Sequence, residues 1–402
     1  MKQIRPLFIS PLIFDDDNIN ARINYALINS LPNSFSPVVL CGDIGFCNDH
    51  FHILRVKRTL LDRIKIRILL NYTSEEICYL PDSYYYYWYK KALKVAEQYL
   101  NTHKIDYLHS FSYPYSSHLV ALELNKKYGI PWIAHFYEPW GDNPYRKYSK
   151  KVITKNCVWE DEVARKADVI IHNSDIMCQS WKDKYGDIIS KKQFSLPMPF
   201  AFKGQNLATP VNNSLSKLCI THVGNLYGLR KAEPFLSAIF ALISEKPHFR
   251  NMLKVVFVGE ISNDDIDFIK MNKLNDVIEI VGRKSEEECV DYYKQANIFL
   301  VIEGKDQGPL FFPSKLIQYY YYNRPIVGLT QEGSVLWNEL ESTGHKAYPP
   351  DDIDGLEEYL EFAISNYKLL LNYSQNSWKR FDPQSVVGEY VCILDKTIMS
   401  RC

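Results

Sequence analysis

The stretch GPLFFPSKLIQYYYYNRPIVG, residues 308–328, decides how the chain is read. An apolar run, NIFLVI (297–302), stops just before it, and a second, PIVGL (325–329), overlaps its end. Between them a helix is expected from Pro313, because proline is tolerated at the first helical position and serine or threonine cluster there. Strand, helix and strand in that order make one unit of a parallel sheet. The only charged residue in the first turn is a cation, Lys315. Unpaired backbone N–H groups already make that end positive, so an acidic residue is the favoured choice there. Two readings account for Lys315. Either its ammonium reaches solvent at a cost of about 0.3–1 kcal/mol, or a phosphate sits between it and the helix end.

The same alternation runs outward in both directions. Strands are expected at 4–10, 37–41, 106–110, 131–136 and 168–173, then at 218–224, 254–259, 277–282, 297–302 and 325–329. The intervals are long enough for helices, which gives an α/β chain with parallel sheets. Continuous rather than alternating apolar strands agree with sheets covered on both faces. The rhythm breaks once, at PMPFAFKGQNLATPVNNSLS (197–216), a stretch rich in Pro, Asn, Ser and Gly. The expected division is a first Rossmann-like domain at 1–200, a linker at 201–216 and a second domain at 217–380. The tail, 381–402, is helix-like after Pro383 and fits either half, a return to the first included. Two such domains place a cleft between the carboxyl ends of their sheets, where ligands of open α/β folds bind.

Composition removes several function classes. The chain has 402 residues, 47 of them basic and 47 acidic, so no net charge draws it to nucleic acid. Nine dispersed cysteines without a Cys-x-x-Cys read as reduced thiols in a cytoplasmic protein. The N-terminus is too charged for a signal peptide, and no uncharged run reaches the length of a membrane span. One stretch, LRVKRTLLDRIKIRILL (54–70), holds six basic residues and one acid among Leu and Ile. It suits an anionic membrane surface on the cytoplasmic side, with an ordinary solvated helix as the alternative.

Three loops follow strands in the second half: HVGNLYGLRKAEP (222–234), VGRKSEEE (281–288) and the opening stretch. Arg230 and Lys231 open one expected helix, as Lys315 does another. Cations and free N–H groups facing one cleft would add into an anion site. These segments, with DYLHSFSYPYSSHLVALELNKKYGIPWIAHFYEPWGDNPY (106–145), resemble the family 4 glycosyltransferases. They are similar in particular to the bacterial surface-polysaccharide members with a Pro-Ser-Lys-Leu helix start. The similarity covers most of residues 1–340.

The resemblance implies the GT-B fold and a retaining hexosyltransferase without a metal or other cofactor. The donor would be a nucleoside-diphosphate sugar. The acceptor would be a glycan or an undecaprenyl-linked glycan of O-antigen or capsule synthesis. By motif position, Arg230 and Lys315 would grip the diphosphate, and His135 and Glu138 would face the transferred sugar and the acceptor. Gly224, Asn225, Tyr227, Gly282, Arg283, Pro313, Ser314 and Gln318 would line the donor side. Asp16, Asn18, Tyr113 and Trp140 would line the acceptor side. FDDDN (14–18) looks like a metal-binding Asp-x-Asp, but its place after the first strand favours a loop contact, with helix capping as the plainer reading.

The chain departs from the family pattern in three places. A Glu-x₇-Glu motif is represented by Leu310 and Gln318, and an amide binds a ribose hydroxyl without charge assistance. Asn225 stands where many relatives have Arg, and Glu138 replaces the usual Asp before Pro-Trp. These changes keep a non-catalytic sugar-nucleotide-binding relative open beside the transferase. A sugar-nucleotide epimerase shares the fold, but the acceptor-like first half argues against it.

Overall fold

The structure is a computed structural model that describes residues 3–15, 17–43, 45, 50–141, 143, 148–201, 217–304, 310–366 and 377–401. Asp16 and most of the expected linker, 202–216, lie outside the described residues. The chain forms two compact units. Residues 1–201 and 380–402 make the first, and 202–379 the second.

The first unit is built on seven parallel strands: β1 (Pro6–Ile9), β2 (Val38–Cys41), β3 (His52–Arg55), β4 (Tyr107–Phe111), β5 (Trp132–Phe136), β6 (Val169–His172) and β7 (Gln193–Ser195). Their order across the sheet is β3-β2-β1-β4-β5-β6-β7. The second unit has β8 (Leu218–Val223), β9 (Leu253–Val258), β10 (Ile278–Gly282), β11 (Ile298–Ile302), β12 (Ile326–Leu329) and β13 (Lys346–Tyr348), in the order β10-β9-β8-β11-β12-β13. Every paired strand is parallel. The central strands are buried on both faces, which is why PLFI, WIAHF and IFLVI read as unbroken apolar runs.

Ten of these strands fall on expected segments. The other three, β3, β7 and β13, were not expected, and all three lie at sheet edges. Half-exposed edges carry HILR, QFS and KAY, without the apolar run that marks a covered strand. Each sheet reverses its strand order once, between β1 and β4 and between β8 and β11. The loops leaving those strands are the ones that form ligand crests in open α/β sheets.

Two helix starts differ from expectation. The helix after β11 spans Lys315–Tyr322, with Ser314 as its cap residue and Pro313 before it. Its entry is tight: the N–H of Leu316 donates to the Pro313 carbonyl at 2.9 Å, and that of Ile317 to Ser314 at 3.2 Å. The helix after β8 begins at Glu233, so Arg230 and Lys231 belong to the loop. Leu316 through Tyr322 are all buried, and the tyrosine run is therefore core. Tyr319 stacks on Phe299 of β11 at 4.2 Å between centroids.

The tail forms a helix, Pro383–Lys396, capped by Asp382 with proline in its first turn. It packs in the first unit through Val386, Val387, Tyr390, Ile393 and Leu394. There the hydroxyl of Tyr390 lies 3.0 Å from that of Tyr107 and 2.7 Å from Nδ1 of His109. Where the chain leaves the unit and returns, the N–H of Phe200 donates to the carbonyl of Phe381 at 2.6 Å.

Candidate anion site at the second sheet's crest

The clearest cluster stands on the two loops of the β8/β11 reversal. Strand β8 ends in His222 and Val223 and runs into Gly224, whose φ of +135° L side chains rarely adopt. A Cβ at Gly224 would also lie 2.9 Å from Nζ of Lys315. Glycine there lets the strand end and the helix start touch.

His222 is fully buried, and its Nδ1 lies 3.0 Å from the Leu300 carbonyl. A carbonyl can only accept, so Nδ1 carries the proton and Nε2 is left as an acceptor. That acceptor faces the Lys315 ammonium at 3.4 Å. Burial, then the nearby Lys315, holds the imidazole well below its usual pKa, so it stays neutral.

Arg230, on the β8 loop, reaches Glu303 at the end of β11. Its Nε donates to Oε2 at 3.0 Å, and its Nη2 donates to Oε1 at 3.1 Å and Oε2 at 2.8 Å. The pair is largely buried, with side chains 13% and 8% exposed. The guanidinium also covers the Tyr227 ring at 5.0 Å from its centroid. Lys315, only partly exposed, has its pKa lowered to about 8 by burial and then by Arg230, while Glu303 opposes the shift. Two cations thus converge against one carboxylate, with a neutral imidazole behind them. Such a constellation can hold an anion of more than one charge.

The other residues expected on the donor side make contacts of their own. The Asn225 side chain accepts from the Glu260 N–H at 2.9 Å and so ties the β8 loop to the β9 loop. Arg283, after Gly282, donates to Glu260 at 2.8 Å, both side chains being exposed. The Ser314 side chain makes no cap bond. Gln318 differs from expectation more sharply. It is buried, and its side-chain oxygen accepts from the Tyr293 hydroxyl at 2.8 Å. The acceptor expected to meet a ribose is used inside the unit.

In the first unit, His135 lies within β5 and is 1% exposed. Its Nδ1 is 3.3 Å from Nε2 of His109, which extends the hydroxyl chain from Tyr390. Burial keeps both imidazoles well below their usual pKa and therefore neutral. Nε2 of His135 has no partner among the described residues. Glu138 accepts from the Tyr115 hydroxyl at 3.2 Å.

Trp140 corrects the acceptor-side expectation. It is fully buried, stacks on Tyr115 at 4.7 Å and 3°, and donates from Nε1 to Asn156 at 2.9 Å. It has no face to offer a ligand and instead anchors the loop that carries Glu138. Tyr113 is half-buried and meets Tyr115 edge-on at 5.7 Å. Asn18 is a helix cap, accepting from the N–H groups of Asn20 and Ala21 at 3.0 and 3.2 Å. Its side-chain oxygen is thereby occupied, and the capping reading of FDDDN applies to this residue. Among the described residues, no group of three or more His, Cys, Asp or Glu is placed to hold a metal.

The basic stretch 54–70 splits in two. Leu54 and Arg55 end β3, and a helix, Leu60–Tyr79, starts at a Thr59–Asp62 capping box. Leu60, Leu61, Ile64, Ile68 and Tyr72 are exposed, Leu61 by 77%. Their spacing puts most of them on one outward stripe, and Arg63, Lys65 and Arg67 are exposed with them. Among the described residues, no helix is long and apolar enough to cross a membrane.

No protein-family model matches the sequence, and neither does any curated protein. Solved structures do match over the whole length. Sucrose-phosphate synthase from Thermosynechococcus elongatus is 14% identical with a TM-score of 0.64, covering 100% of both chains. The lipopolysaccharide outer core galactosyltransferase WaaB is 12% identical with a TM-score of 0.62, over 98% of this chain and 99% of its own. HepE from Anabaena, solved with UDP-glucose, is 11% identical with a TM-score of 0.62, over 98% and 100%. The chain therefore has the GT-B fold of two Rossmann-like units, each on a parallel sheet.

Proposed function

We propose that the chain is a retaining glycosyltransferase of the family 4 type, moving a sugar from a nucleoside-diphosphate sugar to a glycan or lipid-linked glycan. The observation that carries this reading is the convergence of Arg230, Lys315 and Gly224 at the second sheet's strand reversal. As the glycosidic C–O bond breaks, negative charge grows on the departing diphosphate. Prearranged cations stabilise that charge more than they stabilise the bound donor, which is what lowers the barrier. Arg230 and Lys315 do this work without a metal. The sugar becomes oxocarbenium-like, and the acceptor hydroxyl arrives on the face the diphosphate leaves, passing its proton to the departing phosphate oxygen, so configuration is retained. Neutral His135 and the Glu138 side chain orient the sugar and the acceptor, and the Gly282–Lys284 loop lies near the base. HepE, similar in fold, was solved with UDP-glucose, which supports a nucleotide sugar as ligand.

The test is thermal melting with UDP, GDP and their sugar conjugates. Ligand at about 100 times its dissociation constant adds roughly 2.7 kcal/mol. That raises the midpoint by on the order of 5–10 °C for one base class. No shift with any of them removes the donor reading. The engaged Gln318 oxygen supports a second reading, a relative that binds sugar nucleotide without transferring it. Nucleotide binding without sugar transfer to lipid-linked acceptors selects that one.

The outward apolar stripe of helix Leu60–Tyr79 supports the further proposal that the chain works at the cytoplasmic face of a membrane, on an undecaprenyl-linked acceptor of O-antigen or capsule synthesis. Its leucine and isoleucine side chains enter the lipid boundary while Arg63, Lys65 and Arg67 meet anionic headgroups. Burying one such side chain contributes about 1.5–3 kcal/mol. The double substitution Leu61→Asp, Ile64→Asp therefore lowers binding to vesicles with anionic phospholipid by at least about tenfold. Stability changes by no more than about 0.5 kcal/mol, since both residues are exposed. Equal sedimentation of the variant and the parent rejects the membrane contact.

A further inference from the structure

Glu303 is not part of the donor machinery described so far, yet it occupies the best-placed cation in the site. It takes the Nε and Nη2 donors of Arg230 in a side-on, two-point contact of 2.8 to 3.1 Å, in largely buried surroundings. Carboxylate and phosphate present oxygens to a guanidinium in the same forked geometry. We propose that Glu303 is a specificity-determining residue, an internal anion that fills the place of one phosphate on Arg230 and that only a diphosphate displaces. The proposal rests on the donor-site reading above and deepens it.

The charge count makes the selection. With His222 neutral, the empty cluster holds Arg230 and Lys315 against Glu303, a net charge of one positive. A single phosphate that settles on Lys315 gains one cation and meets the Glu303 carboxylate beside it. A diphosphate reaches both cations at once, and its second phosphate replaces Glu303 on Arg230, so the guanidinium never loses an anionic partner. Leaving a buried charge unpaired is the expensive alternative. The displaced carboxylate has room to turn into, because Glu303 borders a pocket of about 240 Å³, which it shares with the Lys231 cation and with two other carboxylates, Glu233 and Asp351. The exchange runs in reverse as well. When the diphosphate leaves, Glu303 returns to Arg230 and competes against rebinding.

Inorganic pyrophosphate and inorganic orthophosphate test this without knowledge of the base or the sugar. Their dissociation constants are measured by calorimetry on the wild-type protein, Glu303→Gln and Lys315→Ala. Glutamine keeps an oxygen for Arg230 but removes the charge. Both anions are expected to bind Glu303→Gln more tightly, orthophosphate more so. The pyrophosphate-to-orthophosphate preference is expected to fall by on the order of tenfold, the effect of one charge-assisted contact. Glu303→Asp keeps the charge but shortens the reach, and an intermediate preference is expected; this variant decides the matter if Glu303→Gln does not fold. A preference unchanged in both variants, or weaker pyrophosphate binding to Glu303→Gln, overturns the proposal. If pyrophosphate binds wild type and is lost in Lys315→Ala while the preference ignores Glu303, only the role of Glu303 fails. If pyrophosphate does not bind wild type at all, the donor-site reading falls together with it.

Discussion

Replacing Lys315 by methionine is expected to abolish nucleoside-diphosphate binding and, at neutral pH, to make the empty protein more stable. The two effects share one cause. The ammonium is held beside Arg230 in a poorly solvated place, and its pKa falls from 10.5 to about 8. Below pH 8 the folded chain carries a charge that the unfolded chain would hold more comfortably in water. Allowing for its partial exposure, that penalty is on the order of 2 kcal/mol. Methionine fills similar volume without it. The sign follows from proton counts. Between pH 8 and 10.5 the unfolded state binds more protons at this residue, so wild-type stability gains on the variant as pH rises. Denaturant titrations at pH 7 and pH 9.5 should therefore show the variant's advantage shrinking. Binding goes the other way. Removing a preorganised charged donor from a leaving-group site costs about 10²–10³ in rate. The wild-type kcat/KM should also decline above pH 8, as the unliganded enzyme loses that proton. A variant that is less stable at pH 7 and still binds UDP or GDP as tightly as wild type would sink the assignment.

Trp140→Ala is expected to be strongly damaging to the stability of the first unit. Deleting a fully buried tryptophan costs about 3–5 kcal/mol, or roughly 10 °C or more in midpoint for a unit of this size. Two neighbours lose a contact with it: the Tyr115 ring its stacked face and the Asn156 side-chain oxygen its donor. Asn156 in turn donates to the Tyr79 carbonyl at 2.6 Å, so the damage reaches the end of helix Leu60–Tyr79. Trp140→Phe separates the contributions. It keeps an aromatic face against Tyr115 but leaves the Asn156 oxygen unpaired, for about 1–3 kcal/mol. Nucleotide-induced melting shifts should persist in Trp140→Phe. A near-wild-type midpoint for Trp140→Ala, with acceptor turnover lost, would restore the ligand contact that the structure denies it.

The central strands were legible because a strand covered on both faces has only one kind of residue to use. VIIH, LCITHV and IFLVI announce themselves, whereas the edge strands HILR, QFS and KAY do not. The anion cluster was half legible. Lys315 stood out as a cation at the wrong end of a helix, and Gly224 as a glycine ending a strand. Glu303 and His222 were missed. Each is a lone polar residue beside or within an apolar strand, and nothing local says that the loop of β8 will bring Arg230 to one and Lys315 to the other. Both pairings depend on β8 and β11 being neighbours, and 74 residues separate their ends in sequence, from Val223 to Ile298. Gln318 shows the opposite limit. Motif position put it at the surface of a ligand, but Leu316 through Tyr322 are buried on every side of their helix, and Tyr293 on the preceding helix claims its oxygen first.

The return of the tail to the first unit has a consequence for how the chain is made. Tyr390 is synthesised long after the last strand of the first sheet, β7, yet its hydroxyl meets Tyr107 and His109 in the middle of that sheet. A nascent chain that has emerged only as far as residue 201 has no hydroxyl for that imidazole and no cover for the strand face around it. The second unit, drawn from one unbroken span of sequence, lacks no part once residue 379 is out. The ribosome thus delivers the later unit as a finished object while the earlier one still waits for helix Pro383–Lys396. A chain cut short before Pro383 would carry a sound second unit attached to an unsealed first one.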